Sequence, residues 1–268
     1  MSDHDDDAYL SPPVQRAARL LRHIAEGDPV INMAASAREL GINRTTLLRL
    51  LHTLEAERLI ERRGAETPGW RIGFGLIGMA AQAFFSEDLV QVAVPVLTRL
   101  AESLGLSAHL GVLDGREVVY LVRRLPNHAF ASNIRVGTRL PAHAANMGRI
   151  ILANLPWPRV ERLYEGAAMP AITAHTAVTL EQLHTKLDHD RSTGLAWSDG
   201  QFEDRISSVA AAVLDAASQP IAAINVSGLV ASFAGEKRRM QIGRAVTEAA
   251  ETISRQLGWH GASLKVVA

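Results

Sequence analysis

Apolar residues first recur at helical spacing from Val14, with Ala17, Ala18, Leu21 and Ile24 or Ala25 on one face. That pattern predicts a helix over 14–26, ended by Gly27-Asp28-Pro29. Residues 32–54 then divide into two short helices about Gly41, where glycine permits the positive φ of a sharp turn. In the second of these, Leu47, Leu50, Leu51 and Leu54 share one face, and Thr45, Arg49 and His52 occupy the other. Asn43 stands where an N-cap belongs, with Arg44, Thr45 and Thr46 in the first turn. Two short runs, 58–63 and 69–72, follow around a polar loop and read as a β-hairpin. This succession is a winged helix-turn-helix over 14–73, whose second paired helix presents polar side chains to base edges.

A further apolar run, from Phe74 to about Phe85, predicts a linker helix placed at 74–88. Its start, Gly73-Phe-Gly75-Leu-Ile-Gly78, matches the dinucleotide fingerprint G-x-G-x-x-G. The strand before it is short and flanked by arginine, and 89–105 reads as helix where a second strand should end in Asp or Glu. The glycines are therefore expected to allow close packing of the linker helix. Leu89–Leu104 carries the stripe Val92, Val96, Leu100 and Leu104, with Pro95 inside it and Gly105 at its end.

Strands are predicted at 107–113 and 118–122, either side of the hairpin signal Asp114-Gly115, and at 130–136. A loop at 137–141 leads into helices at 142–153, 158–165 and 180–192. Strands at 195–198, 207–214 and 221–227 and a closing helix at 236–257 complete the pattern. Strands and helices do not alternate strictly. Residues 89–260 are thus expected to form an α+β domain on a mainly antiparallel sheet. An acidic leader at 1–13, expected to be disordered, and a tail at 261–268 flank the two domains.

With 47% hydrophobic and 21% charged residues over 268, the chain can bury a sizeable core. The absence of cysteine excludes a disulfide framework and fits a reducing compartment. The opening MSDHDDDAYL lacks the basic-then-apolar order of a signal peptide, and no apolar run reaches 18 residues. A cytoplasmic protein without a membrane partner is the expectation. The formal net charge of zero hides an uneven distribution. Residues 11–72 hold ten arginines against seven Asp and Glu, and four aspartates before Leu10 mask that excess. A local excess of this size suits a small DNA-reading domain joined to a neutral sensor.

Three stretches, taken together, resemble the IclR family of bacterial transcriptional regulators. They are ARELGINRTTLLRLLHTLEAERLIERR in the first half, LDGREVVYLVRR with VGTRLPAHAANMGRIILANLP in the second, and GLAWSDGQFEDRISSVAAAVLDAASQPIAAINVSG after them. The likeness runs from about Val14 to Leu257. It implies a winged helix joined through a linker helix to a GAF-like effector domain. It also implies homodimers through the DNA-binding half and dimers of dimers through the other. A small organic acid from a catabolic pathway, aromatic acids included, would change the affinity for a near-palindromic operator in double-stranded DNA.

By that resemblance the effector pocket falls on His143, Asn146 and Met147, on Ser198 or Asp199, and on Ser208, Asn225 and Ser227. Backbone amides at Asn146 and Met147 would meet an anion, which suits a helix N-terminus. Alternation independently puts Asn225 and Ser227 on one strand face. The chain departs from the family pattern at Ser208, often cysteine, at Arg205, usually glycine, at Ala212, usually proline, and at Ser36, usually aliphatic. Arg205 either favours a carboxylate ligand or is a solvated surface residue. His143 either donates to a ligand carboxylate or ties its loop to a backbone carbonyl.

On the DNA side the candidates are Asn43, Arg44, Thr45, Thr46, Arg49 and His52 on the recognition helix. Arg62, Arg63 and Arg71 on the wing are placed to touch phosphates. No cofactor and no metal is expected, since none of the ten histidines stands in H-E-x-x-H or beside cysteine. His184 and His189 read as surface residues of a polar helix. Two other functions stay open from the residues alone: a winged helix used for protein contact, and an enzyme. The chain lacks G-x-S-x-G, a P-loop and a cysteine nucleophile, and the carboxylates Asp199, Glu203 and Asp204 are equally well a solvated loop.

Overall fold

The chain divides after Ser86 into two units, each with its own core. The computed structural model describes residues 10–64, 67–86, 88–126, 134–199 and 205–261. The first unit contains α1 (Pro12–Ala25), α2 (Met33–Glu39), α3 (Arg44–Ala56), β1 (Ile60–Arg62), β2 (Trp70–Ile72) and α4 (Phe74–Ser86). Proline is tolerated in a first helical turn, so α1 begins at Pro12, inside the stretch assigned to the leader. Its core face is carried by Leu20 and Ile24, whereas Val14 is 66% exposed. Val14 lies in the first turn, ahead of the packed part of the helix.

Side-chain caps fix both starts of the helix-turn-helix. Asn32 Oδ1 accepts the amides of Ala34 and Ala35 at 3.1 Å each, and Asn43 Oδ1 accepts that of Thr46 at 2.7 Å. Each cap satisfies amides that the helix itself leaves unpaired. Gly41 turns between them at φ +65°. Leu47, Leu51 and Leu54 bury against Leu20, Ala37, Ile60 and Trp70, with Leu50 half-buried at the margin. β1 and β2 pair antiparallel, with Glu61 opposite Arg71.

The glycines after the wing serve a close approach. A Cβ on Gly73 or Gly75 would lie 2.4 or 2.5 Å from the carbonyl oxygen of Arg58. The two amides instead donate to Leu59 O at 2.9 Å and Arg58 O at 3.0 Å. The start of α4 is therefore clamped to the entry of β1, and nucleotide chemistry is not needed to explain the motif.

The second unit contains α5 (Asp88–Leu104), β3 (Ser107–Asp114), β4 (Glu117–Arg124), β5 (Arg139–Pro141), α6 (Asn146–Ala153), α7 (Trp157–Tyr164) and α8 (Leu180–Thr193). It continues through β6 (Ala196–Asp199), β7 (Ile206–Leu214), β8 (Pro220–Leu229) and α9 (Glu236–Gln256). The six strands form one antiparallel sheet in the order β5-β4-β3-β8-β7-β6. Helices α5 and α9 pack together on one face, and α6, backed by α8, packs on the other. No helix among the described residues is long and apolar enough to cross a membrane.

Three expectations change here. The strand predicted at 130–136 falls partly outside the described residues, and Ile134–Val136 are not strand. The edge strand lies instead at Arg139–Pro141, inside the predicted loop, where Glu117 pairs with Pro141. Three residues ending in proline carry no readable alternation, and proline is tolerated only on such an edge. Helix α6 starts at Asn146 and not Ala142, because the amides of Ala144 and Ala145 both turn back to Pro141 O at 3.0 Å. A 3₁₀ turn at Val230–Phe233, unmarked in the pattern, follows β8.

A buried ion pair ties three elements together. Arg149 of α6 donates from Nε to Asp190 Oδ2 of α8 at 2.9 Å and from Nη2 to Trp197 O of β6 at 2.7 Å. Both side chains are almost wholly buried, and burial pushes the Asp190 carboxyl up against the pull of Arg149. Removing one member strands the other charge in the interior. Asp190→Ala is expected to lower the stability of this unit by about 3–5 kcal/mol in urea unfolding, and the apolar pair Arg149→Met with Asp190→Leu to recover most of it.

Candidate functional site

The recognition helix α3 presents Thr45, Arg49 and His52 on the face opposite Leu47, Leu51 and Leu54, with Arg44 beside them, all four exposed. Among the described residues, none of these four side chains is held by an ion pair. Asn43 and Thr46 differ, since the Asn43 side-chain oxygen already caps the Thr46 amide and Thr46 is half-buried. On the hairpin, Arg62 stacks 3.9 Å from the centre of the Trp70 ring and reaches Glu55 at 3.4 Å. Arg71 pairs with Glu61 at 2.6 Å, and Arg63 is exposed at the end of β1. The wing thus holds two of its three arginines in place while leaving their guanidinium groups at the surface.

In the second unit a pocket opens between α6 and the sheet. It encloses about 460 Å³ of space, its open mouth included, and is lined by Tyr120, Ile134, Leu140, Ala145, Asn146, Ser198, Ile206, Ser208, Asn225 and Ser227. Strand pairing explains the polar side of that lining. Ser198 faces Ser208, Ser208 faces Ser227, and Asn225 faces His109, so alternation delivers all of them to the α6 face. Five predicted residues, Asn146, Ser198, Ser208, Asn225 and Ser227, therefore meet around one space.

The other three do not line it. His143 is buried with Nε2 3.1 Å from Pro170 O and its ring edge-on to Tyr164, so of the two roles it serves the loop tie. Met147 is wholly buried, its terminal methyl filling the room left by Gly111, where a Cβ would come within 2.9 Å. Its backbone amide, with those of Asn146 and Gly148, belongs to the open first turn of α6. Asp199 falls on the opposite sheet face, where it accepts from Ser207 Oγ at 3.0 Å and from both Nη atoms of Arg239 at 3.0 and 3.1 Å. Period-two alternation separates it from Ser198. Arg205 is exposed next to Ile206, and Glu203 and Asp204 lie outside the described residues.

His109 is the residue the sequence reading missed. Its Nδ1 lies 2.9 Å from Asn225 Oδ1, Asn225 Nδ2 donates to Asn146 Oδ1 at 3.2 Å, and Asn146 Nδ2 donates to Ser208 Oγ at 3.0 Å. With Asn225 Oδ1 as acceptor, Nδ1 must carry the imidazole proton. Burial chiefly, and Arg123 nearby, lower the His109 pKa to about 4 against the Asn225 bond, which raises it. The ring is neutral near pH 7, and the chain of bonds runs one way. Ser208 accepts at its end, so its own hydroxyl proton is left to point elsewhere. Ser227 Oγ, buried and lining the pocket, has no partner among the described residues. Alternation along the predicted strand at 107–113 puts His109 on one face with Ser107, and strand pairing alone places that face beside Asn225.

The description "IclR helix-turn-helix domain" matches residues 13–64, and "Bacterial transcriptional regulator IclR C-terminal" matches residues 81–255. The chain belongs to the IclR family. The HTH-type transcriptional regulator XynR of Escherichia coli is 30% identical over 246 residues, 92% of this chain and 97% of that protein. The transcriptional repressor IclR of the same organism is 26% identical, over 91% of this chain and 89% of its own. A solved IclR regulator from Alicyclobacillus acidocaldarius superposes with a TM-score of 0.81 at 26% identity, covering 93% of this chain and 100% of the other. An IclR homolog from Microbacterium hydrocarbonoxydans, solved with 4-hydroxybenzoate, shares the fold at a TM-score of 0.78 and 23% identity, over 91% and 98% of the two chains. This IclR-family protein is a DNA-binding transcriptional regulator, and its relatives are regulators, not enzymes.

The buried imidazole makes stability depend on pH in a defined window. His109 is depressed to about 4 in the folded unit and titrates near 6.5 when unfolded, so between those values the unfolded chain binds more protons. The stability is complete above about pH 6.5 and falls as pH drops toward 4, by about 3 kcal/mol over the window. Urea unfolding at pH 7, 5.5 and 4.5 checks this, with His109→Gln expected to lose that part of the slope.

Proposed function

We propose that this regulator reads a near-palindromic operator as a homodimer, and that a small organic acid in the pocket between α6 and the sheet changes its DNA affinity. The observation that carries the effector half is the pocket's polar wall. It combines the Ser208 and Ser227 hydroxyls with the open first turn of α6, and among the described residues no charged side chain lines it. Hydroxyl and amide donors around an apolar rim suit a carboxylate on a compact, ring-sized body. The relative holding 4-hydroxybenzoate supports the same chemical class. Linkage requires DNA to change effector affinity by the same factor as effector changes DNA affinity.

Support for the homodimer comes from α4, which is apolar around its circumference. Phe74, Ile77 and Met79 are 71%, 48% and 52% exposed in the single chain, which suits a helix that another copy covers. Two copies would present two α3 helices to half-sites related by the dimer axis. Assembly into a dimer of dimers through the second unit, and control of a catabolic operon, complete the proposal.

The test is binding of purified protein to the DNA upstream of its own gene, against a scrambled duplex, at several salt concentrations. Specific binding that survives moderate salt, and that shifts when 4-hydroxybenzoate or a related monocarboxylate is added, is the expected result. Equal, steeply salt-sensitive binding to both duplexes would remove this operator. Arg49→Ala is expected to weaken specific binding by about 1–3 kcal/mol, the worth of a bidentate base contact. An unchanged isotherm would assign Arg49 to solvent.

A further inference from the structure

The turn between α1 and α2 gathers three metal-ligating side chains from three separate pieces of backbone. His23 lies in the last turn of α1, Asp28 in the connection, and Glu39 at the end of α2. One nitrogen or oxygen from each lies within 4.8 Å of the other two. The His23 side chain is only 11% exposed, and its Nε2 sits 3.0 Å from Asp28 Oδ2 without the geometry of a hydrogen bond to any group among the described residues. Asp28 is itself held, because its Oδ1 accepts the Val30 amide at 2.7 Å. Glu39 is exposed and forms no ion pair among the described residues.

We propose that His23, Asp28 and Glu39 bind a divalent transition-metal ion, zinc above all, that joins the end of α1 to the end of α2. One imidazole with two carboxylates is a nitrogen-and-oxygen donor set that suits zinc and not magnesium or calcium, which take oxygen alone. Ligands about 2.1 Å from a tetrahedral zinc stand roughly 3.4 Å from one another. The His23–Asp28 pair, 3.0 Å apart, has to open only slightly, and the exposed Glu39 side chain has to swing inward. Two carboxylates this close repel one another. A divalent ion answers both. The fourth position would hold water, as three protein ligands require. The bridge would clamp α2, the first helix of the helix-turn-helix, against α1, and binding to the folded form alone stabilises that form by mass action.

The spacing 23, 28 and 39 matches no zinc sequence pattern, which is why the histidines carried no such reading in the linear chain. The test is calorimetric titration of the EDTA-dialysed full-length protein with zinc chloride, alongside thermal unfolding with zinc or magnesium. The expected result is one tight zinc ion per chain that vanishes in Glu39→Gln and His23→Gln, with a zinc-dependent rise in the melting midpoint that magnesium does not produce. Glu39 is exposed, so Glu39→Gln is expected to keep the wild-type circular dichroism spectrum and serves as the decisive variant. Absence of zinc binding, equal binding in Glu39→Gln, or an equal effect of magnesium would each overturn the site.

Discussion

Helix α6 lies closer to its surroundings than a side chain would allow at two places, and the effector unit is organised by that approach. A Cβ on Gly148 would stand 2.4 Å from the Cα and carbonyl oxygen of Ala142, so the loop that enters the helix packs directly on its backbone. Gly111 in β3 leaves the hollow that Met147 fills. Next along the helix, Arg149 is locked to Asp190 and to the Trp197 carbonyl. A helix held from three sides cannot slide, and its open first turn stays over the sheet at one height.

That fixed height allows the polar chain from His109 to Ser208 to exist. Three of its side chains, His109, Asn225 and Asn146, bury their hydrogen-bonding groups in a low-dielectric layer, which is tolerable only when most of those groups are satisfied. The direction of the bonds follows from the Asn225 amide, whose oxygen faces His109 and whose nitrogen faces Asn146, so the imidazole donates from Nδ1. At the other end two serine oxygens face the pocket with capacity to spare. The polar wall of the pocket is thereby coupled to packing several residues away from it.

The DNA-reading unit solves a different problem, which is to keep cations exposed without letting them collapse onto their own surface. Its means are local: two asparagine caps, a glycine turn, a tryptophan under Arg62 and a glutamate beside Arg71. Glycines at 73 and 75 then bring the next helix against the wing, so a motif that resembles a phosphate loop is used for backbone packing.

The sequence by itself determined what depends on neighbours in the chain. Helical periodicity, the Asn43 cap, the Asp114-Gly115 turn and the strand alternation that sends Asn225 and Ser227 to one face are all set within a few residues. Only the tertiary structure decided the rest. Whether His143 faced a ligand or Pro170, which sheet face received Asp199, that Arg139–Pro141 became an edge strand, and that His109 stood opposite Asn225 all depend on strand order and register. Those pairings join residues up to 116 positions apart. Periodicity says which face a residue takes, but only the packed sheet says what that face meets.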